Sequence, residues 1–387
     1  MKFDTPDRHG GDDSDSGRYL PIEAERELLA TADTSFEVPS ERPEETTSPI
    51  PPAPIITIDR YDWFSTSSES DSPMHVDETN DLRIKVSPLP SLQRLGHAFV
   101  VLTFRCFLLI PSCIIAFHNF YFRQRPDLIK QYSTCPGLHV RVFYPPSHEP
   151  GSSTGVRYPT LLTIHGGGFV FGKPRDNDSW NRRFANKHSI LVIALDYRKA
   201  PKYCHPRPHT DIATLTEAVL KDDSLLIDRD RVAVAGWSAG GNLALGLTAT
   251  PLLRFKVSAV VAFYPVVDFV PGKDMKARSR PYKAALGGFR GQERDYLYNL
   301  IDTFEWAYLG PGQSRTDPLL SPTHTDFHDL PKYVFTVGCE LDMFAMEALK
   351  FMCKLSGREM PAVGNIVGRQ EIGSEGELVT EGDERFA

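Results

Sequence analysis

The feature that most constrains this chain is Gly236-Trp237-Ser238-Ala239-Gly240-Gly241, set between a strand-like run, Arg231–Ala235, and a helix-like run, Asn242–Thr250. Glycines two residues before and two after a serine let a strand bend into a helix where side chains would collide. In that setting the bend lifts the serine hydroxyl above the C-terminal edge of a parallel sheet, where ligands bind in such folds. Ser238 is therefore the candidate nucleophile, with Gly236 and Gly240 as the residues that permit the bend.

The surrounding pattern supplies such a sheet. Tyr158–Ile164 and Ile190–Leu195 are short apolar runs rich in β-branched residues, as expected of buried strands. Val257–Tyr264 and Tyr333–Val337 are expected as further strands, and His139–Tyr144 alternates like an edge strand. Helices are expected over Asn177–Lys187, Asp211–Leu220 and Met343–Leu355. Strands alternating with helices predict an α/β fold with a doubly wound, mostly parallel sheet over residues 136–356.

A second motif, His165-Gly166-Gly167-Gly168-Phe169, also follows a strand. Consecutive glycines leave backbone N–H groups unshielded. Such groups stabilise the negative charge that acyl transfer places on a carbonyl oxygen, each donor being worth about 3–4 kcal/mol. Gly167 and Gly168 are the expected donors, with Ala239 as the third. His165 and Gly166 support the loop, His165 orienting it rather than carrying a proton. A third segment, Gly338-Cys339-Glu340-Leu341-Asp342, ends another strand. A carboxylate there can orient a histidine. Asp342 is the candidate, with Glu340 and Glu347 as local competitors.

These motifs in this order resemble the hormone-sensitive-lipase-like branch of the α/β-hydrolases, which includes arylacetamide-deacetylase-like carboxylesterases. Further matching stretches are Asp196-Tyr197-Arg198-Lys199-Ala200-Pro201, Tyr264-Pro265 and Asp317-Pro318-Leu319-Leu320-Ser321-Pro322. The resemblance implies that Ser238 is the nucleophile, Asp342 the triad acid, and Gly167, Gly168 and Ala239 the oxyanion hole. It implies a helical cap from residues near 95–135 and 275–305, and a small hydrophobic ester as substrate. Two departures stand out. Trp237 occupies a position that is usually Asp in this branch, which should alter the hydrogen bonding beside the nucleophile. The branch also places its histidine after the triad Asp and a last strand, whereas the last histidine here is His328. The final strand and histidine are accordingly expected to be missing, with an irregular tail over 357–387 and activity impaired. His205 and His209 precede Asp342, in a Pro-rich loop that the resemblance places away from the triad. The alternative is a non-catalytic ligand-binding module that keeps the pocket, as in plant gibberellin receptors, which resemble the same branch.

Residues 98–117 are long enough to span a bilayer, and twelve of them are Leu, Ile, Val or Phe. Their insertion is worth about −5 kcal/mol, against which Arg105 costs roughly 3 kcal/mol. Pro111 also disturbs the helix. Residues 91–135 are thus expected to form either a membrane anchor or cap helices. The protein is expected to be intracellular: at an endoplasmic-reticulum-type membrane if anchored, cytoplasmic otherwise. Residues 1–90 are rich in Ser, Pro and acidic side chains and are expected to be disordered. Residues 1–50 hold 13 Asp/Glu against 5 Lys/Arg. Nothing in the charge pattern favours nucleic acid as a partner. The six cysteines show neither Cys-x-x-Cys pairs nor metal-ligand spacing, so free, mostly buried thiols are expected, with no metal and no cofactor. No basic region followed by an apolar run opens the chain, so no cleaved secretory signal is expected.

Overall fold

Four short apolar segments build the centre of the sheet: β3 (Tyr158–Ile164), β4 (Leu191–Leu195), β5 (Ile227–Trp237) and β6 (Ala259–Phe263). Apart from the charged first half of β5, they have few polar side chains to solvate and many β-branched ones, so they are suited to strands covered on both faces. With β1 (Leu128–Gln131), β2 (His139–Phe143) and β7 (Tyr333–Val337) they form a seven-stranded sheet in the order β1-β2-β4-β3-β5-β6-β7. The pairings from β4 through β7 are parallel, and β1 and β2 are antiparallel to their neighbours. This computed structural model describes residues 85–122, 124–148, 156–251, 253–279, 295–339 and 341–358. The expected acidic tail up to residue 84 and most of the expected C-terminal tail lie outside the described residues.

Alternation along the strands separates two cores. Leu162, Ile164, Ile193 and Val234 join the larger one, packed with Ile212 and Leu215 of α4 (Arg207–Lys221), Leu243 and Leu247 of α5 (Ala239–Ala249), and Phe351 of α8 (Ala345–Ser356). Leu161, Val192, Ala194 and Ala235 face the other way, toward Trp180, Phe184 and Ala185 of α3 (Asp178–His188). Helices therefore cover both faces, as the alternating pattern predicted. His139–Phe143 is not an edge strand, however. It lies second, with the four-residue β1 outside it. Leu-Ile-Lys-Gln is too short and too mixed to declare itself, and backbone pairing rather than side-chain pattern makes it a strand.

The register brings the strand ends level. Ile164 pairs with Gly236, and Trp237, Phe263 and Val337 form one row. His165, Ser238, Tyr264 and Gly338 thus leave the sheet along one edge. Beside that edge, α6 (Lys273–Ser279) and α7 (Tyr298–Tyr308) line a cavity with Ser238, α1 (Ser91–Phe107) packs on α7, and α2 (Leu109–Tyr121) contacts Arg175. Ser91–Tyr121 is long and apolar enough to cross a membrane by length and composition, and little of it is buried. All six cysteines are free, but Cys106, Cys113 and Cys339 are exposed and only Cys135 is fully buried. The expectation of mostly buried thiols fails because two of the exposed ones sit on the helix pair α1–α2.

Candidate active site

Ser238 links β5 to α5 with φ 52° and ψ −117°, a conformation that side-chain-bearing residues rarely hold. Its N–H donates to Phe263 O at 2.8 Å, and its own carbonyl accepts from Gly241 N at 2.9 Å and Asn242 N at 3.1 Å. The bend is fixed from both sides, leaving the hydroxyl without a capping role. A Cβ on Gly236 would lie 2.0 Å from Gly240 O, and one on Gly240 would lie 2.2 Å from Ile164 O. Only bare backbone allows this approach. Trp237 turns to the opposite face of the sheet. It stacks on Phe263 at 5.3 Å and meets the edge of Trp180 at 4.9 Å. The residue before the serine is thus held by aromatic packing.

The glycine loop closes over the serine. Gly167 has φ 115°, followed by Gly168 at 58° and Phe169 at 62°. Val170 N and Phe171 N both donate to Gly167 O, at 3.0 and 2.8 Å. Ala200 N donates to Phe169 O at 3.0 Å, tying the loop to the Asp196–Pro201 stretch. Ala239 opens α5, so its N–H lacks an intrahelical acceptor. Ser238, Ala239, Gly167 and Gly168 line one cavity of about 230 Å³. Phe169, Phe171, Val266, Phe269, Leu297, Ile301, Phe304 and Phe344 make its remaining lining largely apolar; Lys276 and Glu305 add charge.

His165 is buried beneath the loop. Its Nδ1–H donates to Gly166 O at 2.7 Å, Nε2 lies 3.5 Å from Asp196 Oδ1, and the ring stacks on Tyr197 at 4.5 Å. Burial, then the charge of Lys199, pushes the imidazole below its ordinary value. Burial would raise Asp196, but the neighbouring His165 and the charge of Lys199 outweigh it and hold the carboxyl at about 2. These contacts suit an anchor for the glycine loop.

Asp342 follows β7 on the same sheet edge as Ser238. Its Oδ1 accepts from Phe344 N at 2.9 Å. Burial, reinforced by the charges of Asp295 and Glu347, pushes its carboxyl up to about 7 despite that hydrogen bond. Of the two competing acids, Glu347 is committed elsewhere: Oε1 accepts from Val267 N at 2.8 Å and Oε2 pairs with Lys276 at 2.7 Å. Glu340 lies outside the described residues. No histidine lines the cavity among the described residues. His205 instead contacts Asp317 at 3.0 Å and, with His209, surrounds the Tyr308 hydroxyl.

Lys276, Glu305, Ile301 and Phe304 escaped the sequence reading. They sit on the short helices α6 and α7, which carry no catalytic motif. The only available signal was the expected cap near 275–305.

Residues 161–363 match the family model described as alpha/beta hydrolase fold. An ethyl acetate hydrolase from Pseudomonas putida is 33% identical over 210 residues, covering 51% of this chain and 60% of that protein. Arylacetamide deacetylase from Mus musculus is 32% identical over 272 residues, covering 56% of this chain and 67% of that protein. The chain thus spans less than two thirds of the first relative's length. Among solved structures, an esterase of Pyrobaculum calidifontis superposes with a TM-score of 0.54 at 26% identity, covering 70% of this chain and 86% of that one.

Proposed function

The chain belongs to the alpha/beta hydrolase fold family, in its hormone-sensitive-lipase-like branch, and from that premise we propose that it is built to hydrolyse small hydrophobic carboxylic esters through an acyl-serine intermediate. The observation that carries this reading is the shared cavity. A serine on a strained strand-to-helix bend faces the same space as Gly167, Gly168 and Ala239. Ser238 Oγ adds to the ester carbonyl, and N–H groups of those three residues hold the resulting oxyanion. The alcohol leaves with a proton. Water then adds to the acyl-serine, regenerating the hydroxyl and releasing the acid. Asp342 is the proposed triad acid, and the apolar lining selects the ester. Residues 98–117 are the proposed site of membrane attachment.

The proton on Ser238 Oγ needs a base. Within residues 1–387 no histidine follows Asp342, and no described histidine lines the cavity. Activity of these 387 residues alone is therefore impaired, and the same observation supports the second reading, a ligand-binding pocket. A fluorophosphonate probe separates the two. Slow labelling of the 387-residue chain that accelerates with added imidazole and disappears in Ser238→Ala supports the hydrolase. Labelling absent with or without imidazole, together with saturable binding of a small hydrophobic ligand, supports the binding module.

A further inference from the structure

Helices α1 and α2 turn polar side chains toward the body of the protein and apolar ones toward its outside. His97 Nδ1 meets Thr303 Oγ1 at 2.9 Å, and its ring stacks on Trp306 at 5.6 Å. Arg105 Nη2 donates to Ala200 O at 2.8 Å and Val170 O at 3.3 Å. Ser112 Oγ accepts from Arg175, and buried Asn119 donates to Arg175 O at 3.3 Å. His97, Arg105, Ser112 and Asn119 recur about every two turns, so they share one face. That face lies against the body from one end of the helix pair to the other.

The opposite face carries Leu95, Phe99, Leu102, Ile110, Ile114 and Phe117, each between 61% and 70% exposed. Its charge is one-sided as well. From Lys85 to Pro126 the sequence has five Lys or Arg and no Asp or Glu. Exposed Arg94 lies near one end of the apolar face; exposed Arg125 lies near the other, its guanidinium over the Phe120 ring at 4.6 Å. Phe104 contacts Phe171 at 6.1 Å, and Phe171 contacts Phe304 at 5.9 Å. The last two line the cavity with Ser238.

We infer that α1 and α2 form a lipid-facing platform that lies in the plane of an anionic membrane surface rather than crossing the bilayer. A spanning helix needs its full length inside the hydrocarbon core. Here that length is hydrogen-bonded to a domain whose polar surface would be dragged in with it. An in-plane helix immerses only its apolar face, while flanking arginines meet anionic headgroups. The Phe104–Phe171–Phe304 series then leads an acyl chain from the membrane to Ser238. This route rests on the ester-hydrolase reading; the platform does not.

The test uses the purified 387-residue chain and vesicles of phosphatidylcholine with or without phosphatidylserine. Flotation with the vesicles, increased by phosphatidylserine and reversed by alkaline carbonate, is expected. The combined substitution Phe99→Glu, Ile110→Glu and Phe117→Glu should weaken binding at least tenfold without changing the circular dichroism spectrum. Fluorophores on L95C and I110C, each in a background with Cys106→Ser, Cys113→Ser and Cys339→Ser, should be quenched equally by shallow nitroxide lipids. A spanning helix would hold position 110 near the bilayer centre and position 95 near a surface, ~22 Å apart along the axis. No flotation, resistance to carbonate, unequal label depths, or a vesicle-independent dimer that shields both labels would each overturn the platform. Probe labelling of Ser238 reports separately on the hydrolase reading.

Discussion

A Cβ placed on Gly236 would lie 2.0 Å from the carbonyl oxygen of Gly240. Both neighbours of that contact are backbone, so no rotamer change relieves it. Gly236→Ala should force β5 and α5 apart, costing roughly 3 kcal/mol or more. Thermal unfolding should show a fall in Tm. Fluorophosphonate labelling of Ser238 should fall with it, including at temperatures where the variant remains folded.

Gly167 combines φ 115° with Phe171 O 2.5 Å from a built Cβ. Gly167→Ala must reorient the peptide groups that the proposed oxyanion hole uses. A drop of roughly 10²–10³ in the acylation rate is expected, with a smaller cost to stability than Gly236→Ala. Unchanged imidazole-assisted labelling in a folded Gly167→Ala protein would remove this loop from the chemistry.

The pattern 160–264 was legible because local sequence and global fold agree there. Tyr158–Ile164 is a strand at the expected residues, and Leu191–Leu195 falls within one residue of the expected run. Buried parallel strands need a continuous apolar run, which a sequence displays directly. Leu128–Gln131 was not legible, since its pairing with β2 supplies what its own side chains lack. The glycines of both motifs announced themselves, whereas the cavity walls did not: Phe171, Ile301 and Phe304 look like ordinary core residues until the chain brings them together.

Asp342 has a folded-state value of about 7 against an ordinary 3.8. The folded protein therefore binds the proton more tightly than the unfolded chain. The associated stability is fully present below about pH 3.8, declines as pH rises through the interval to about 7, and is lost above it. Asp342→Asn keeps an acceptor for Phe344 N but carries no charge. It should raise stability at pH 8, by at most about 4 kcal/mol, and leave it nearly unchanged at pH 4. Chemical denaturation at the two pH values measures the difference.

Lys276 and Glu347 are 5% and 8% exposed and form an ion pair at 2.7 Å. Lys276→Met strands the carboxylate in the interior and should cost roughly 3–5 kcal/mol. The double substitution Lys276→Met and Glu347→Leu should recover most of that loss. A double-mutant cycle by urea unfolding checks it; two additive losses would mean that the pair is not coupled.

Sequence alone determined the strand-bend-helix around Ser238, the glycine loop after His165 and the alternating sheet, because each depends on local sterics and periodicity. Tertiary structure decided which groups share a space. Register brings β3, β5, β6 and β7 to one level, Trp237 leaves the serine's side of the sheet, and Glu347 is drawn to Lys276. It also decided which face of Ser91–Tyr121 meets the protein, since hydrophobicity is a property of the run whereas its orientation depends on hydrogen-bond partners such as Ala200 and Arg175, far along the chain.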